Sequence, residues 1–154
     1  MASVPTNTDH SIASLGKLAN SPAKAPHTYL AMATHFAGGA KYLSSNPENA
    51  VSTTFLCAQA TECALKAYLS RDGDERRLKS QSIRHNLVSL WELASTEGLI
   101  LESPAPQWLV MLGELHNKPY YLRYLSGVHG LTLPPQTLMI DELVTLIQKI
   151  RNNI

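Results

Sequence analysis

The stretch AQATECALKAYL, Ala58–Leu69, decides how the chain is read. As a helix it continues an apolar stripe from Val51 and Phe55 through Ala58, Leu65 and Leu69, at spacings of 4, 3, 7 and 4 residues. Residues three, four or seven apart share one helix face, so the gap of seven marks a missing member. That member is Glu62, a carboxylate in the middle of a face built for burial. A buried carboxylate without a partner costs several kcal/mol or takes up a proton, so a cationic partner is expected. Lys66, one turn on, stands in the favourable Glu-to-Lys order.

The rest of this helix, about Pro47–Ser70, has only a narrow, broken polar arc: Ser52, Thr54, Gln59, Thr61, Lys66 and Ser70. A helix apolar on nearly all sides is a buried one. Ala58, Ala60, Cys63, Ala64 and Ala67 leave room for neighbours to approach closely. Before it, a first helix is expected to start after Pro26, with Tyr29, Met32, Ala33, Phe36 and Ala40 as its stripe. Gly38-Gly39 weakens that helix and suits a close backbone approach. SSNPEN, Ser44–Asn49, is a stop and restart, with Asn46 as N-cap and Pro47 at the first helical position.

After it comes a charged connection, Arg71–Arg84. Five basic residues (Arg71, Arg76, Arg77, Lys79, Arg84) stand there against Asp72, Asp74 and Glu75. A third helix is expected at about Asn86–Ser95, with Leu87, Leu90, Trp91 and Ala94 on one face and Gly98 as its C-terminal stop. ESPAPQ breaks the chain, and a fourth helix follows at about Pro106–Asn117 with Leu109, Leu112, Leu115 and His116. His116–Pro135 reads as irregular. Pro134-Pro135 opens a last helix, about Gln136–Asn152, with Ile140, Leu143, Val144, Ile147 and Ile150 inward. With no alternating run long enough for a strand, the fold class is all-α, an up-and-down bundle of four to five helices.

The totals agree with one domain. The chain has 154 residues and 44% hydrophobic content, enough for a core beside a tail. Residues 1–25 hold no aromatic side chain and read as a flexible tail, and residues 26–154 as the helical domain. A net charge of +1 excludes a global polyanion-binding surface. The charged fraction of 16%, against a usual value of about 25%, leaves apolar surface for self-association. Cys57 and Cys63 lie six apart on one helix and cannot bridge; they read as small buried hydrophobes in a reducing compartment. Neither a secretory leader nor a membrane span is visible, so a cytoplasmic protein is expected.

Three segments together resemble the HEPN family, the nucleotide-binding domain of higher eukaryotes and prokaryotes: AQATECALKAYL, RHNLVSLWELA and YYLRY. The matching positions are Glu62, Leu65-Lys66-Ala67, His85-Asn86-Leu87 and Arg123-Tyr124, over roughly residues 27–152. The resemblance implies a helical bundle that commonly dimerises, so a homodimer is expected. It also implies one of two activities. Some members are metal-independent RNases, often toxins paired with a minimal nucleotidyltransferase partner, that use an Arg-x4–6-His motif. Others bind RNA, nucleotides or partner proteins without catalysis.

Glu62 is expected to join a buried polar network with Lys66, His85 and Arg123, tying the central helix to the Arg123-Tyr124 segment through a charge-assisted hydrogen bond. The alternative is a carboxylate lining a site. Arg123 and His129 satisfy the RNase spacing, with five residues between them. His129 would then move the proton of the ribose 2′-OH and Arg123 would stabilise the phosphorane. The intervening YLSGV is aromatic and apolar, unlike the polar helical setting of catalytic members. Lys118, Tyr120, Tyr121, Arg123 and Tyr124 form an aromatic–basic cluster suited to base stacking or to a dimer interface. No His, Cys, Asp or Glu spacing resembles a metal site, and neither metal nor cofactor is expected. The leading expectation is a non-catalytic HEPN-like module that binds a nucleotide, RNA or a partner protein in a prokaryotic stress or defence setting. An RNase toxin using Arg123 and His129, or a purely protein-interacting adaptor, are the alternatives.

Overall fold

A computed structural model describes residues 24–125 and 127–154. The expected tail, residues 1–25, lies outside them except for Lys24 and Ala25. Five α-helices and no strand are found among the described residues. They are α1 (Ala25–Leu43), α2 (Ala50–Leu69), α3 (Leu87–Thr96), α4 (Gln107–His116) and α5 (Gln136–Arg151). None is long and apolar enough to cross a membrane.

Prolines and short polar caps set the ends. Pro26 lies in the first turn of α1. Asn46 accepts the Glu48 N–H at 3.0 Å and starts a short 3-10 turn, Pro47–Asn49, that runs into α2. The expected first turn of the long helix is therefore wound more tightly than the rest. Asn86 accepts the Ser89 N–H at 3.0 Å and caps α3. Asn86→Ala should lower stability by about 1 kcal/mol through loss of this cap, read as a shifted urea midpoint with an unchanged slope. At the other end of α3, Gly98 has φ +103°, where a side chain would strain the turn. Its N–H reaches Ser95 O and the Leu99 N–H reaches Ala94 O, while Leu99 and Ala94 are both buried. This is a Schellman stop closed by a hydrophobic contact.

α2 is the hub, in contact with each of the other four helices. The short connection through Pro47–Asn49 folds α1 back along it, and a Cβ on Gly39 would stand 3.2 Å from Leu56 Cδ1. Of the Gly38-Gly39 pair only Gly39 is closely approached, and by a side chain rather than the expected backbone; Gly38 has nothing within 4 Å of where a Cβ would stand. The polar arc of α2 is itself largely buried: Thr54, Thr61, Lys66 and Ser70 are all inside. The three hydroxyls turn back to the carbonyls of Ala50, Cys57 and Lys66 at 2.7–2.8 Å, which satisfies them without water. Cys57 is buried and Cys63 partly so, both free, and burial pushes their thiols up to about 12 and about 11. Neither is a reactive thiolate.

Three stripe positions depart from expectation, the first being Met32 of α1, which is 40% exposed. Val51 is 41% exposed and lines a groove with Phe55, Leu56 and Leu122 rather than the core. Val144 is 49% exposed and lines a shallow groove between α1 and α5 rather than the core. The remaining inward residues of α5 (Ile140, Leu143, Ile147 and Ile150) are buried as expected. Between α3 and α4, Trp91 and Trp108 meet edge to face, 6.2 Å between centroids. This packing directs the C-terminal end of α4, His116, at the middle of α2.

Candidate functional site

Glu62 gathers three partners. The Lys66 ammonium donates to Oε1 at 2.6 Å from one turn on. His85, in the turn before α3, places Nδ1 at 3.2 Å from Oε1 and 3.1 Å from Oε2. His116, the last residue of α4, places Nε2 at 2.6 Å from Oε2. An ionised carboxylate only accepts, so both ring nitrogens carry their protons toward it. The side chains of Glu62 and Lys66 are 9% and 8% exposed, so this is an interior ion pair. Burial alone would push the Glu62 carboxyl up. The hydrogen bonds from His116, Lys66 and His85, with the charge of Lys66, outweigh it and hold the group at about 2.

Lys66 and His85 thus join Glu62 as the sequence leads one to expect. Arg123 does not: the position given to it belongs to His116. The reason is geometric. The chain leaves α4 at Asn117 and turns to the surface, where the Arg123 guanidinium lies 5.9 Å over the ring of Phe55. Phe55 precedes Glu62 by seven residues, about 10 Å along the axis of α2. Asn86 caps α3, which leaves the imidazole of His85 free to face Glu62.

Arg123 belongs to a second cluster, on the surface. Its guanidinium is 5.4 Å over Tyr120 as well as close to Phe55. The N–H groups of Arg123 and Tyr124 both bond to Tyr120 O at 2.9 Å, closing a tight turn. Tyr120 itself has φ +65°, a left-handed conformation that is strained for an aromatic residue and is found most often at binding and catalytic sites. Beside Arg123, a groove of about 320 Å³ is lined by Val51, Ser52, Phe55, Leu56 and Leu122. Tyr124 is 63% exposed and Tyr121 half-buried, while Lys118, also exposed, lines a separate groove with Val88, Val110 and Glu114 rather than the one at Arg123. His129 is exposed, and the backbone between Arg123 and His129 is not helical where it is described.

The donor set Glu62, His85 and His116 escaped sequence reading. Its members stand 23 and 31 residues apart and come from three elements, so no local spacing reveals them. The usable signal was chemical: a carboxylate on a buried face needs several donors, and His116 falls on the inner stripe of α4 beside Leu112 and Leu115. No family model matches the chain, and neither does any curated protein or solved structure.

Proposed function

We propose that the chain is a HEPN-like module that binds single-stranded RNA or a nucleotide at the Arg123 surface without cleaving it, as a homodimer in a prokaryotic stress or defence system. The observation that carries this reading is the exposed Arg123 guanidinium held between the rings of Tyr120 and Phe55 at the edge of an apolar groove. A cation over aromatic faces beside an open groove offers a base a stacking surface and its phosphate a charge. The strained Tyr120 supports the same reading, since the fold maintains it at a cost of about 1–3 kcal/mol. Arg123 and His129 sit on irregular backbone, which supports binding over the helical catalytic arrangement of the family's RNases.

Fluorescence anisotropy with a labelled mixed-sequence RNA and with adenosine nucleotides tests it. Arg123→Ala and Tyr124→Ala should each weaken binding about 5- to 100-fold, the range of one lost stacking or charged contact, with little change in melting temperature. Affinity should fall as salt rises. Equal binding by wild type and both variants would move the ligand elsewhere. RNA cleavage in EDTA, lost in Arg123→Ala and His129→Ala, would replace binding by catalysis.

A further inference from the structure

We propose that Glu62, His85 and His116 form a binding site for a divalent transition-metal ion of the zinc class, for which the Lys66 ammonium is a built-in competitor. Each residue offers one ligand atom, a carboxylate oxygen, Nδ1 and Nε2, and all three atoms lie within 4.8 Å of one another. Two imidazoles and a carboxylate are the donor chemistry of zinc and its first-row neighbours. The set is assembled by the fold, from the middle of α2, the turn before α3 and the end of α4. The two rings stand edge to face, 87° apart with centroids 6.1 Å from each other, so their nitrogens converge without the rings colliding.

The fit to a metal is close. Ligand atoms around a tetrahedral zinc ion are about 3.3 Å apart. The His85 and His116 nitrogens now lie 3.1 and 2.6 Å from Glu62 Oε2, so each would move away from that oxygen by less than about 1 Å to admit an ion. Each ring would then carry its proton on the far nitrogen and present a lone pair inward. The His85 side chain is 31% exposed, which gives an ion a way in and leaves a position for water.

Lys66 sets the affinity. Its ammonium, 2.6 Å from Oε1, occupies the cation's place while no metal is bound. A divalent ion at the same carboxylate repels it, and the four-carbon stem allows the head to withdraw. Removing that charge should tighten metal binding, the opposite of what a purely structural ion pair implies.

The test is a cobalt titration of the full chain, stripped with EDTA and dialysed, followed by visible absorption with circular dichroism in parallel. Wild type should take up one equivalent with the intense bands of four-coordinate cobalt, and zinc should displace it. Lys66→Met should saturate at a cobalt concentration at least about 10-fold lower, and His85→Gln and His116→Gln, which each remove a ligand, should need at least about 10-fold more. No bands in wild type overturn the proposal, even if Lys66→Met binds cobalt, because the ammonium is then the resident cation. Bands unchanged in His85→Gln also overturn it and place the ion elsewhere. His85 is partly exposed, so wild type and His85→Gln decide the matter even if the substitutions at Lys66 or His116 unfold the chain. The Arg123 surface plays no part in this assay, so each proposal can fail without the other.

Discussion

Glu62→Ala is expected to destabilise the domain by about 3–5 kcal/mol, the range for removing one partner of a buried ion pair. The substitution leaves the Lys66 ammonium inside without a counter-charge and two ring N–H groups without their acceptor. It also cuts the polar link between α2, the turn before α3 and the end of α4. Glu62→Gln should cost less, because the amide oxygen still accepts one bond, but its NH2 faces donors. The double change Glu62→Leu with Lys66→Met should recover the part of the loss due to the stranded ammonium, but not the part due to His85 and His116, whose ring N–H groups stay without an acceptor. Urea unfolding of the four proteins decides this, read as midpoints at a common slope. A cost below about 1 kcal/mol for Glu62→Ala would mean that Lys66 escapes to water and that the cluster does not fasten the helices.

Acid should expose the same group. Glu62 titrates at about 2 in the folded chain against an ordinary 4.5. A folded value below the unfolded one means stability that is complete above pH 4.5 and lost as pH falls from there toward 2. A difference of about 2.5 units corresponds to about 3 kcal/mol in all, of which about 2 is gone by about pH 3. Asp74, Glu75 and Glu97 are also held low, by Arg76, Lys79 and Arg77 respectively, but these are surface pairs whose contribution is small. They are present in wild type and in Glu62→Gln alike. Comparing the two proteins at about pH 7 and about pH 3 therefore reports on the Glu62 carboxylate together with its partners His85 and His116. The fall in stability should be about 2 kcal/mol larger for wild type. Equal falls would show that the carboxylate is not held in its charged form by its neighbours.

The helices were legible because local chemistry sets them. Pro26, Asn46-Pro47, Asn86, Gly98 and Pro134-Pro135 mark starts and stops, and each observed helix ends within a few residues of where they put it. The stripes erred at Met32, Val51 and Val144, which face solvent or a groove, because periodicity does not say how much of a helix face its neighbours cover. Glu62 could be recognised as a buried carboxylate in need of donors, and Lys66 and His85 could be named. His116 could not be chosen over Arg123, because that choice depends on where α4 ends against α2. Both residues follow apolar helix stripes, and only packing shows that the chain turns outward between them. The cation-binding geometry was hidden for the same reason.

The position of α2 has a consequence for how the molecule opens. All four other helices lean on it, and the buried residues of all five join in one core cluster. Release of α2 would therefore remove contacts from every other helix at once, so its opening is expected to be global rather than local. Phe55 under Arg123 and Glu62 under the two histidines are carried by this one helix, two turns apart. Whatever fastens Glu62 thus lengthens the lifetime of the surface at Arg123, with no path of contacts needed between them. The two ends are coupled through the cooperativity of the whole fold.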